Sequence, residues 1–131
     1  MAPDDAILDP SETATSQLAR VSRAMVRIYK EQFGRGPERV HTYWAGPDSI
    51  VCFLEKTLTP VERTLTAMDE NERLRDMRML LQYAAETDFR DAIEKITGRR
   101  VSAFVSGIDT RADVASEVFV LEPHSGHTEH A

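Results

Sequence analysis

Four arginines stand where two similar stretches of chain turn from a helix into a strand. Arg35 and Arg39 belong to Phe33–Lys56, and Arg99 and Arg100 to Ile96–Pro123. Each stretch runs Gly-Arg, a Val-led strand, a polar turn, then an apolar strand closing on Leu-Glu. A guanidinium fork beside free backbone N–H groups suits a carboxylate or a phosphate, so these four residues form a candidate anion site if the two halves converge at one sheet edge. The competing use is structural: an arginine just past a helix end bonds the last carbonyls and faces the negative end of the dipole. Gly34-Arg35-Gly36-Pro37 is not a phosphate-binding P-loop, because it follows a helix and has no Lys-Ser/Thr.

Other reactive side chains are set less tellingly. His41 and Tyr43 share one strand face, but no Asp, Ser or Cys completes a catalytic set. Cys52 sits in an apolar run and reads as a small hydrophobe before a nucleophile. His124, His127 and His130 recur every third residue without the scaffold a metal site needs. Asp109, Asp113 and Glu117 surround a polar connection but lack the spacing of a calcium loop, so a solvated loop is expected there. No catalytic residue, metal site or cofactor is predicted.

The elements that position these residues follow from pattern. Asp9-Pro10-Ser11-Glu12 is a helix start. Leu18, Val21, Met25 and Ile28 form its apolar stripe, and Gly34 and Pro37 end it. Strands are predicted at about 39–45 and 50–55, with Val40, Thr42 and Trp44 on one face and His41 and Tyr43 on the other. Thr59-Pro60-Val61-Glu62 repeats the start signal with a capping box. A short helix to about Met68 and a long one from about Glu70 to Thr97 follow, broken at Met68–Asn71 with Asn71 a possible cap. The long helix carries the stripe Leu74, Met77, Leu81, Ala85, Phe89, Ile93 and Ile96. Strands at about 101–106 and 117–122 close the fold. The second and fourth strands are apolar on both faces and belong at the centre of the sheet.

The predicted class is α+β, a two-layer αββαββ fold with a four-stranded, mainly antiparallel sheet and its helices on one face. Residues 1–10 are expected to be a flexible N-terminus, 11–122 a single domain and 123–131 a disordered tail. The chain has 131 residues and a net charge of −6. That balance opposes broad binding of nucleic acid or anionic membrane. One cysteine allows no internal disulfide. With no signal-like or membrane-spanning stretch, a cytoplasmic protein that does not insert into membranes is expected.

A homodimer is also expected. A helix over residues 70–97 would be about 40 Å long and overhang a strand of ~17–20 Å. Its apolar stripe, widened by Leu80 and Ala84, would continue past the sheet. Leu74, Met77, Leu80, Leu81 and Ala84 are the predicted contact residues.

Three motifs in order, Phe33-Gly34-Arg35-Gly36-Pro37, the run Leu58 to Leu65 and Ile96-Thr97-Gly98-Arg99, resemble the MpsC-like family of bacterial proteins over about Thr15 to Leu121. Some members are linked to a sodium-translocating or membrane-potential-generating system and to inorganic-carbon uptake. The resemblance implies an accessory cytoplasmic protein, a partner of a membrane transport system rather than a transporter. It supplies no catalytic residues. A small-anion-binding protein or enzyme using the arginine turns is the competing reading.

Overall fold

A computed structural model describes residues 10–124. Helix α1 spans Pro10–Phe33, followed by β1 (Arg39–Trp44) and β2 (Ser49–Glu55). Three helices come next, α2 (Pro60–Ala67), α3 (Asn71–Ala84) and α4 (Glu86–Thr97), and then β3 (Val101–Asp109) and β4 (Val114–Leu121). The sheet order is β1-β2-β4-β3 with every pair antiparallel. The α+β class and the central place of β2 and β4 are as the apolar pattern predicts. Of the predicted tails at 1–10 and 123–131, residues 1–9 and 125–131, with His127 and His130, lie outside the described residues.

The expected signals set the helix ends. Gly34 and Gly98 take left-handed φ values of 82° and 72°, and their N–H groups close the last turns onto Lys30 O and Glu94 O. Only glycine enters that region without a Cβ penalty. At α2, Thr59 Oγ1 accepts from Glu62 N while Glu62 Oε1 accepts from Thr59 N, a reciprocal capping box.

The long helix is where the sequence reading fails. It is divided at Ala85, whose φ of −93° and ψ of 9° make a turn between two helices. Helices of 14 and 12 residues reach only about 21 and 18 Å, so the predicted overhang does not exist. α3 buries Leu74, Arg78 and Gln82, while Ala85 itself and Phe89 and Ile93 of α4 join the main core. Leu74 is fully enclosed within the chain, so it cannot serve in the predicted dimer contact. Met77, Leu80 and Ala84 are exposed and Leu81 is half-buried. Asn71 is not the N-cap of α3. Glu70 holds that position and makes no side-chain cap bond.

The core lies between the sheet and α1 and α4. Ile50, Cys52 and Leu54 of β2 and Ala115, Phe119 and Leu121 of β4 meet Val21, Met25, Ile28, Phe89 and Ile93. All the described helices that pack on the sheet meet this face. The opposite face holds Tyr43, Val51, Phe53, Val105, Val118 and Val120, paired across the ladders and half-buried or exposed. β3 and β4 run closer to their turn than predicted, leaving only residues 110–113 as the connection.

Candidate functional site

The strongest chemical feature is Glu117, expected as the first residue of the fourth strand beside a solvated connection. It lies in β4 on the helix-facing side, paired across the ladder with Cys52, and is fully buried. Alternation dictates this, since Ala115, Glu117, Phe119 and Leu121 share one face of the strand. The other two acids of the supposed loop cluster are also engaged. Asp113 accepts from Thr57 N at 2.8 Å and from Leu58 N at 3.2 Å. Asp109 accepts from Arg111 N and Ala112 N in its own turn. The three do not form a cation site, and no metal-holding cluster occurs among the described residues.

Around Glu117 the helices supply polar partners. Tyr29 of α1 donates its hydroxyl to Glu117 Oε2 at 2.5 Å. Gln82 of α3 donates to Ser106 Oγ at 2.7 Å and reaches Glu117 Oε2 at 3.5 Å. One turn before it, fully buried Arg78 donates to Glu62 Oε1 at 3.0 Å and Thr57 Oγ1 at 3.1 Å. Its guanidinium carbon stands 3.8 Å from the Phe33 ring centroid, a cation–π contact. Three buried atoms of this cluster, Arg78 Nε, Gln82 Oε1 and Glu117 Oε1, have no hydrogen-bond partner.

The electrostatics follow from that arrangement. Burial pushes the Glu117 carboxyl from an ordinary 4.5 up to about 8, against the opposing pull of hydrogen bonds from Ser106 and Tyr29 and of the Arg78 charge. Arg78 is paired with Glu62, so its charge is largely answered before it reaches Glu117. Tyr29 is raised well above its usual value, first by burial and then by Glu117. Burial also pushes the Cys52 thiol up to about 12, so it is not a nucleophile. Burial thus favours the protonated form of Glu117, and the cluster is closed to solvent.

The four predicted arginines do not converge. Arg39 pairs with Glu55 at one end of edge strand β1, while Arg99 and Arg100 precede β3, the other edge, at the opposite end. The two pairs occupy diagonal corners of the sheet. Arg99 is buried and ties the β1–β2 turn to the end of β4, donating to Pro47 O, Glu122 O and the Asp48 carboxylate. Arg35 donates to Leu58 O at 3.0 Å and Lys56 O at 3.1 Å. Arg39 is exposed, and Arg100 is an exposed residue with a 4.0 Å contact to Glu122. His41 and Tyr43 stack on the open sheet face, where His41 meets Glu55 at 3.3 Å.

The site and fold together define an α+β domain with a buried ionisable cluster and a sheet face that no described helix covers. The comparison with family models is specific: residues 13–123 match the model described as "Na+-translocating membrane potential-generating system (MpsC)". The chain belongs to the MpsC family. No curated protein and no solved structure matches it.

Proposed function

We propose that this protein is a non-enzymatic accessory subunit of a Na+-translocating, membrane-potential-generating system, acting from the cytoplasm as a homodimer. Family membership supports the link to that system. No helix of the described residues is long and apolar enough to cross a membrane, which favours a partner of the ion path over the path itself. The observation that carries the reading is the bare sheet face. Tyr43 is 53 % exposed, Phe53 40 % and Val105 53 %, and they flank the central valines of β2 and β4. An apolar surface of this kind marks an interface.

The occupant is a second copy of the chain. The centre of the face is uncharged, whereas the whole chain carries −6. Two copies therefore approach best where the repulsive charges are missing. A two-fold axis near Val51 and Val118 sets valine against valine in an aligned sheet-on-sheet packing. The exposed strip of Met77, Leu80 and Ala84 on α3 then stays free for the membrane partner.

Sedimentation equilibrium at micromolar concentration should give a dimer, and Phe53→Asp or Val105→Asp a folded monomer. A wild-type monomer overturns the dimer. The accessory role is tested by deleting the gene from a cell that carries it and following the Na+-dependent membrane potential with a voltage-sensitive dye. Loss of potential, restored by the wild type and not by Leu80→Asp, supports the role; an unchanged potential refutes it.

A further inference from the structure

The corner that holds Arg35 has a composition of its own. Arg35 Nη1 and Arg63 Nη1 both donate to one acceptor, Leu58 O, at 3.0 and 2.9 Å. Two cations sharing a single carbonyl oxygen repel each other, and a neutral dipole only partly offsets that. Lys56 stands beside them, with no ion-pair partner among the described residues. Arg111 completes the group from the β3–β4 turn. Together Lys56, Arg63 and Arg111 border one cleft of about 570 Å³.

The neighbouring carboxylates offset the group only in part. Asp113 borders the cleft with its carboxylate turned to the backbone, where it accepts from Thr57 N, Thr57 Oγ1 and Leu58 N. Glu38, which also borders the cleft, is 3.6 Å from the half-buried Arg35, and Asp69 is 3.7 Å from Arg111 through well-exposed side chains. Such pairs hold weakly. The backbone is also strained here. Lys56 and Asp113 are non-glycine residues at φ of 60° and 58°, joined by the bond from Lys56 N to Asp113 O. That conformation costs free energy and persists only where its surroundings fix it.

We infer that this cleft binds a small molecule bearing a phosphate dianion. A phosphate presents three oxygens that several separate cations can share, and lysine meets it as a point charge while arginine offers a fork. The apolar lining by Leu58, Ala67 and Ala112 leaves room for a short organic body. Of the arginines singled out in the sequence, Arg35 adjoins the cleft through its bond to Leu58 O without lining it, and Arg99 and Arg100 are at the far corner.

The test uses the full chain and inorganic phosphate, with sodium chloride at matched ionic strength as the reference. For a dissociation constant of ~1 mM, 10 mM phosphate should raise the melting temperature by about 4 °C by mass action. Lys56→Gln combined with Arg111→Gln should abolish the rise. Both side chains are at the surface, so the fold is retained, as circular dichroism would verify. Arg100→Gln, at the opposite corner, should keep the full rise. Phosphorus NMR should show line broadening with the wild type and none with the double variant. No shift in the wild type, an equal shift in the double variant, or a shift with malonate and none with phosphate overturns the inference.

Discussion

Replacing Glu117 with glutamine tests whether the buried cluster holds a proton. The amide side chain would keep the shape and an acceptor for the Tyr29 hydroxyl but cannot ionise. In the wild type the folded-state pKa of about 8 lies above the ordinary 4.5 of an exposed carboxyl. The folded protein therefore binds this proton more tightly than the unfolded chain does. Below about pH 4.5 both states are protonated and the contribution to stability is fully present. As pH rises toward 8 the unfolded chain releases its proton first, and the contribution is lost at about 1.4 kcal/mol per pH unit. Across the window the loss reaches about 5 kcal/mol, and above pH 8 it levels off.

Two groups that face Glu117, Tyr29 on α1 and Cys52 on β2, are both pushed upward, away from that interval, and Arg78 on α3 is paired with Glu62. The assay is urea denaturation of both proteins from pH 4.5 to 8.5, followed by the fluorescence of Trp44, the one tryptophan. Residues that titrate elsewhere are common to both proteins and cancel in the difference. The variant should match the wild type or fall slightly below it near pH 4.5 and exceed it by several kcal/mol near pH 8.5. Parallel curves would refute the argument, because they would mean that the wild-type carboxyl ionises in the fold as readily as in the unfolded chain.

Three further outcomes test the scaffold. Arg78→Met leaves Glu62 nearly buried without its cation and should cost about 3–5 kcal/mol by urea denaturation, with Glu62→Gln in the same chain restoring much of the loss. Glu70→Ser places a capping side chain on α3, which now lacks one, and should stabilise the protein by about 0.5–1 kcal/mol in the same assay, whereas Asn71→Ala should destabilise it by removing the acceptor for Thr110 Oγ1.

The parts of the fold legible in the sequence are those set by local chemistry. Gly34, Gly98 and the Thr59–Glu62 box act within a turn of chain, so their residue types suffice. The central strands were legible because β2 and β4 lack a polar face. The break at Ala85 was not, since no glycine, proline or capping residue marks it. Around it α3 packs on α2 and β3, and α4 on α1 and β3. The buried stripe of α3 was misread for a related reason. Leu74, Arg78, Gln82, Ala85 and Phe89 have helical spacing, but two of them are polar, and Met77 and Leu81 offered an apolar alternative. What permits Arg78 inside is Glu62, which belongs to another helix. Glu117 carried a signal that could have been used: it is the one charged residue in the alternating inward set of β4.

The arginine corners show how the repeat itself misled. Leu54-Glu55 closes the first half and Leu121-Glu122 the second. The same step along the chain carries Val51 to Val118, and those two residues pair directly across the central ladder. Equivalent strands that meet antiparallel are related by an approximate two-fold axis normal to the sheet. The order β1-β2-β4-β3 extends that relation to the edge strands. An axis of this kind carries each corner of the sheet to the diagonally opposite one. Arg35 and Arg99 are thus equivalent and, for that reason, distant. Both bond carbonyls beyond a helix end, but their surroundings differ: Arg99 finds the Asp48 carboxylate, while Arg35 meets a second arginine. Of two corners built alike by the repeat, the proposed ligand falls at the one whose arginine holds its carboxylate, Glu38, only at 3.6 Å and through an exposed side chain.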